Sequence, residues 1–69
     1  MVTNSVELKN IIKKRGLKYG FICSELGITR STLRNKIENR NEFNASEIYS
    51  ICSLLGLSIK EKENIFFAK

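Results

Sequence analysis

Sixty-nine residues, 42% apolar, with twelve basic and seven acidic side chains and a net charge of +5, read as one small basic domain (1–69) with a single core, and no separate effector domain is expected within them. The absence of His excludes histidine acid–base catalysis and His-ligated metal, and two cysteines make neither a disulfide framework nor a zinc site. No run approaches the roughly 18 apolar residues of a membrane span, and no basic segment followed by a long apolar run opens the chain, so neither a membrane partner nor a secretory signal is expected.

Asn4 is placed to cap a first helix, with Glu7 completing a capping box and Leu8, Ile11 and Ile12 forming one apolar face. Lys13, Lys14 and Arg15 fill its last turn, where cations suit the helix dipole, and Gly16 ends it. A second helix is expected from about Lys18 to Leu26, with Ile22, Cys23 and Leu26 inward and Gly27 at its end. Its start is weakly specified, since Lys18 is a poor cap and Gly20 costs about 1 kcal/mol relative to Ala. Thr29 opens a third helix to about Asn39, carried on Leu33 and Ile37. After a loop at about 39–44, Asn44 and Glu47 form a capping box for a fourth helix (Ile48, Ile51, Cys52, Leu55) that stops at Gly56. Ser58 and Glu61 open a fifth, at about 59–68. Cys23 and Cys52 both fall at apolar positions and read as buried thiols rather than a redox pair.

Charge is uneven along this all-α chain. Residues 9–40 hold nine basic and two acidic side chains; residues 41–63 hold four acidic and two basic ones. A localised positive surface attracts polyanions, of which nucleic acid is the commonest. The same region carries Tyr19-Gly-Phe-Ile-Cys-Ser-Glu-Leu-Gly27-Ile28-Thr29-Arg30-Ser-Thr-Leu33-Arg34-Asn-Lys-Ile37. Cys23 is small where two helices must approach, Gly27 takes the sharp turn, Ile28 plugs the turn into the core, and Leu33 docks one helix on the other. That pattern, over about 19–39, is a helix-turn-helix, whose second helix is shaped for the DNA major groove.

From Leu17 to Leu57 the chain resembles the lambda-repressor/Cro-type helix-turn-helix family of phage and bacterial regulators. The resemblance is carried by Leu26-Gly-Ile-Thr-Arg-Ser-Thr-Leu33, Glu42-Phe43, Ser46-Glu47-Ile48 and Leu54-Leu-Gly-Leu57. It implies a compact five-helix bundle, binding to a double-stranded DNA operator, and a homodimer on a near-palindromic site. Tyr19 stands where the family usually has Gln, and Lys18 where it has Thr or Ser. Glu38 falls near where the family faces phosphate, a position unfavourable to a carboxylate unless it pairs with Arg34.

With Leu33 and Ile37 inward, a helical wheel sends Ser31 and Asn35 outward, flanked by Thr32 and Arg34, while Arg30 lies nearer the inner side with a long reach. Arg30, Ser31, Arg34 and Asn35 are the expected base readers: Arg can pair with guanine O6 and N7, Asn with adenine N6 and N7. Tyr19, Thr32, Lys36, Asn39 and Arg40 are the expected phosphate contacts, with backbone N–H groups at the start of the second helix. The basic cluster Lys9, Lys13, Lys14 and Arg15 serves the helix dipole and solubility, or long-range steering toward DNA.

Ile65-Phe66-Phe67-Ala68 is an apolar tip with two open readings. Either Ile65, Phe66 and Phe67 fold back and close the core, or they pack on a second copy as a two-fold dimer. The expectation is a cytoplasmic Cro-like repressor in a bacterial host cell. The alternative is a protein-binding, antirepressor-like modulator that captures a partner repressor, with weak or no DNA binding. No nucleophile–base pair, paired carboxylate motif or phosphate-cradling glycine loop is visible, so neither an enzyme nor a cofactor is expected.

Overall fold

A computed structural model describes residues 2–67, which fold as five helices: α1 (Ser5–Arg15), α2 (Tyr19–Leu26), α3 (Arg30–Ile37), α4 (Ala45–Leu55) and α5 (Ile59–Phe66). The all-α, five-helix expectation holds. Helix starts follow local polar chemistry. Thr29 Oγ1 accepts from the Thr32 N–H at 3.2 Å, and the Asn44/Glu47 and Ser58/Glu61 capping boxes are both complete. Lys18 gives α2 no side-chain cap, as its chemistry requires.

The Asn4 box is only half formed. Asn4 Oδ1 accepts from the Glu7 N–H at 3.1 Å, but the Asn4 N–H donates to the Ile65 carbonyl at 2.6 Å instead of to Glu7. The reciprocal bond gives way to one that ties the N-terminal segment to α5. The third helix also ends earlier than the expected boundary at about Asn39. It closes at Ile37, because Asn39 turns left-handed (φ 65°) and the N–H groups of Arg40 and Asn41 both return to the Asn35 carbonyl. The fifth helix closes at Phe66; Ala68, assigned to it from sequence, lies outside the described residues.

The core collects one stripe from each helix: Leu8, Ile11 and Ile12; Ile22 and Cys23; Leu33 and Ile37; Ile48, Ile51 and Leu55; Ile65 and Phe66. Phe43 joins from the loop. α2 packs against α3 and α4, and α1 against α4 and α5. Leu33 and Ile37 are almost fully buried, each stabilising by about 1.5–3 kcal/mol, and they fix which face of α3 is left for solvent. Arg15 donates from Nε to the Leu55 carbonyl at 3.0 Å, so this member of the α1 basic cluster closes the end of α4.

The apolar tip divides. Ile65 and Phe66 are core, and Phe66 meets the Phe43 ring edge-to-face at 5.5 Å, whereas Phe67 stays 42% exposed. Cys23 is buried. Cys52 is only half-buried, and burial pushes its thiol up, partly opposed by the Lys62 charge. No helix among the described residues is long and apolar enough to cross a membrane.

Candidate nucleic-acid interface

The break between α2 and α3 is a bend rather than a continuation. Gly27 adopts φ 70°, a left-handed conformation that costs an L side chain about 1–2 kcal/mol, and its N–H bonds the Cys23 carbonyl. Ile28 then packs against the core and Thr29 restarts the helix. α3 is thereby held by its inner stripe while Arg30, Ser31 and Arg34 remain exposed and Thr32, Asn35 and Lys36 half-buried. Its outer face is not covered by the rest of the described chain.

The expected base readers occupy different settings. Ser31 and Arg34 are exposed, and Arg34 has no hydrogen-bond or ion-pair partner among the described residues. Asn35 Oδ1 accepts from Arg40 Nη1 at 3.1 Å, which orients the carboxamide yet leaves the oxygen a second lone pair and both amide hydrogens free. Arg30 does not extend away from α2. Its Nη2 lies 2.7 Å from where a Cβ on Gly20 would stand.

The expected phosphate contacts also separate. Tyr19 lines a cleft of about 150 Å³ with Lys9, Arg34, Ile37 and Glu38, so Lys9 of α1 joins the edge of this face, which chain order alone did not indicate. The Thr32 hydroxyl shares a 2.9 Å hydrogen bond with Thr29 at the α3 cap. Lys36 turns away toward α4 and gives its ammonium to both Glu47 oxygens, at 2.5 and 2.6 Å, in a pair whose side chains are 14% and 8% exposed. Burial pushes the Glu47 carboxyl up, but the Lys36 hydrogen bond, the Asn44 N–H and the Lys36 charge outweigh it and hold the group below its usual range.

Asn39, although exposed, likewise has its carboxamide committed within the chain. Its Oδ1 accepts from the Thr3 N–H at 2.8 Å, and its Nδ2 donates to the Thr3 carbonyl at 2.9 Å and to Ser5 Oγ at 3.3 Å. The Ser5 hydroxyl in turn donates to the Ile37 carbonyl. These bonds fasten the N-terminal segment to the end of α3. An Asn just past a helix end signals the left-handed turn, but its partner 36 residues away is invisible in sequence. Glu38 pairs with Arg40 at 3.7 Å rather than with Arg34, because the turn at Asn39 swings Arg40 back alongside it. Among the described residues no cluster of His, Cys, Asp or Glu could hold a metal ion.

A short basic helix, bent off its predecessor at a glycine and presented with a free polar face, defines a helix-turn-helix DNA-binding protein. The comparison with known families agrees: residues 7–61 match the Cro/C1-type HTH DNA-binding domain, and the chain belongs to that family. This is a family of DNA-binding regulators and typically non-enzymatic. No curated protein and no solved structure matches the chain.

Proposed function

We propose that this protein is a sequence-specific regulator of Cro-like type, a repressor that inserts α3 into the major groove of operator DNA. The observation that carries the reading is the free outer face of α3, with Arg34 exposed and unpaired among the described residues and the Asn35 carboxamide pre-oriented by Arg40. In this reading Ser31, Arg34 and Asn35 address base edges, while Tyr19, Thr32 and Arg40, with Lys9 beside them, address phosphates. Lys36 and Asn39 act instead by holding α3 in place. Such work belongs where the DNA is, in the cytoplasm of a bacterial host cell. The test is a titration of operator-length duplexes by fluorescence anisotropy at about 50 mM salt. Binding tighter than about 100 µM is expected, since even non-specific binders reach roughly 10⁻⁴–10⁻⁶ M, and no binding in that range defeats the proposal.

A protein contact is the second reading, and the face formed by α4 and α5 favours it. Tyr49 is 77% exposed and borders a groove of about 390 Å³ that Ile48, Cys52 and Phe67 also line. Lys62 lies on one flank of Tyr49 and Glu25 on the other, so a two-fold copy brings opposite charges together. We assign this face to a homodimer. A monomer in sedimentation that nevertheless captures a partner repressor one-to-one, without DNA, would replace that assignment with the antirepressor-like reading.

A further inference from the structure

Gly20 sits in the first turn of α2 with φ in the ordinary helical range, so nothing in its own backbone calls for glycine. Within a helix of eight residues it is a poor choice. What a side chain there would meet is the guanidinium of Arg30: a Cβ would stand 2.7 Å from Nη2 and 3.5 Å from both Cζ and Nε. Real carbon–nitrogen contacts do not reach 2.7 Å, so any residue but glycine at this position displaces Arg30. The atoms that would move are the far end of a flexible side chain, not backbone. The glycine therefore costs helix stability and leaves room for one guanidinium to approach α2 closely through its Nη2 edge.

That place decides what Arg30 touches. In a helix-turn-helix the second helix enters the groove and the first crosses the sugar–phosphate backbone. A guanidinium held on α2 is thus withdrawn from the base edges and set over the backbone. We propose that Gly20 is a positioning residue that seats Arg30 against α2 and makes it a phosphate contact rather than a base reader. The inference rests on the DNA-binding reading above and goes beyond it by naming the chemical group Arg30 meets and the residue that sends it there.

The experiment is a double-mutant cycle of Gly20→Ala and Arg30→Ala, read as affinity for operator and random duplexes at several salt concentrations, with a thermal melt of each free protein. Arg30→Ala is expected to weaken binding about tenfold on both duplexes and to lower the magnitude of the salt slope by about 0.9, the value of one phosphate. Gly20→Ala is expected to melt at or above the parent temperature and yet lose about three- to tenfold in affinity. In the Arg30→Ala background it is expected to change affinity by less than about twofold. Equal losses from Gly20→Ala in both backgrounds overturn the coupling. So does an affinity gain in Gly20→Ala, or a melting temperature lowered by more than about 5 °C, which would mean that something rigid covers the site. A loss from Arg30→Ala confined to the operator returns Arg30 to the base readers. If the parent itself binds neither duplex, the DNA-binding reading falls together with this one, whereas the other adverse results leave it standing.

Discussion

Lys36 of α3 commits its charge to Glu47 at the first turn of α4, and Glu47 Oε1 also accepts the Asn44 N–H at 3.0 Å. One carboxylate thus caps α4 and anchors α3. Replacing Lys36 by Met should destabilise the fold by about 2–3 kcal/mol in urea unfolding, because the carboxylate is left largely buried with one partner fewer. The salt slope of DNA binding should stay at the parent value, since no phosphate contact is lost. A slope lowered by about one in Lys36→Met would show instead that the ammonium swings out to DNA.

The same pair gives a pH dependence with a defined sign. The folded-state pKa of Glu47 lies below the usual 4.5, so its contribution is complete above that value. It is lost as pH falls through the folded pKa, where the native carboxylate takes up a proton. Unfolding free energy of the parent should therefore drop below about pH 4.5, and Glu47→Gln should show a flatter profile there with lower stability at neutral pH. Superimposable acid limbs in the two proteins would rule Glu47 out as the group responsible.

Arg34 and Asn35 offer a contrast in readout. Arg34→Ala should reduce discrimination between operator and random duplex, at about 1–3 kcal/mol for one bidentate base contact. Arg40→Ala should do two things at once. It removes the positive charge proposed to meet phosphate, and it frees the Asn35 carboxamide that Arg40 holds at 3.1 Å. Both salt slope and operator preference should then fall, and adding Asn35→Ala should cost less in the Arg40→Ala background than in the parent. Additive losses would mean that the 3.1 Å bond has no part in recognition.

Much of this architecture was legible in the sequence because its causes are local. The Asn44/Glu47 and Ser58/Glu61 boxes, the Gly27 turn and the stripe of Leu33 and Ile37 each act over a few residues, and each appears as read. The contacts that the sequence does not show share the opposite property. The Asn4 N–H, Lys36 and Asn39 find partners 61, 11 and 36 positions away, and nothing within a turn of helix announces them. A wheel drawn for α3 gives the angle at which Lys36 leaves the helix but not that α4 passes beside it with Glu47 in reach. Gly20 stands out in the sequence as a weak residue in a short helix, but the side chain that lies over it, Arg30, is ten residues on.

Asn39 combines a left-handed backbone (φ 65°) with a carboxamide that clamps Thr3 through two hydrogen bonds. Two substitutions separate these roles. Asn39→Ala loses the clamp and keeps the unfavourable conformation, for an expected cost of about 2–3 kcal/mol. Asn39→Gly loses the clamp but removes the conformational cost, and should be less destabilised by about 1 kcal/mol. Hydrogen exchange at the Thr3 amide should accelerate in both. If Asn39→Gly is the less stable of the two, the clamp and the backbone do not divide in this way.

Phe66 and Phe67 are neighbours in sequence with opposite fates, and that contrast tests the homodimer. Phe66 is 2% exposed and rests edge-to-face on Phe43, so Phe66→Ala should cost about 3–5 kcal/mol and, against a typical total of about 5–15, leave a substantial unfolded fraction. Phe67, at 42% exposure beside Tyr49 and Cys52, contributes little within one chain, so Phe67→Ser should change unfolding free energy at low protein concentration by no more than about 1 kcal/mol. Its effect should appear in sedimentation equilibrium, where burial of the ring against a second copy would be lost and the dimer dissociation constant should rise at least tenfold, about 1.4 kcal/mol. Tyr49→Ser should act in the same direction, because the two rings border one groove. The charge argument predicts more: Lys62→Glu should weaken the dimer, and Glu25→Lys in the same chain should restore it, since a two-fold axis through Tyr49 exchanges the two flanks. Weakening by both single changes without rescue by the pair would place the contact elsewhere on the α4 and α5 face.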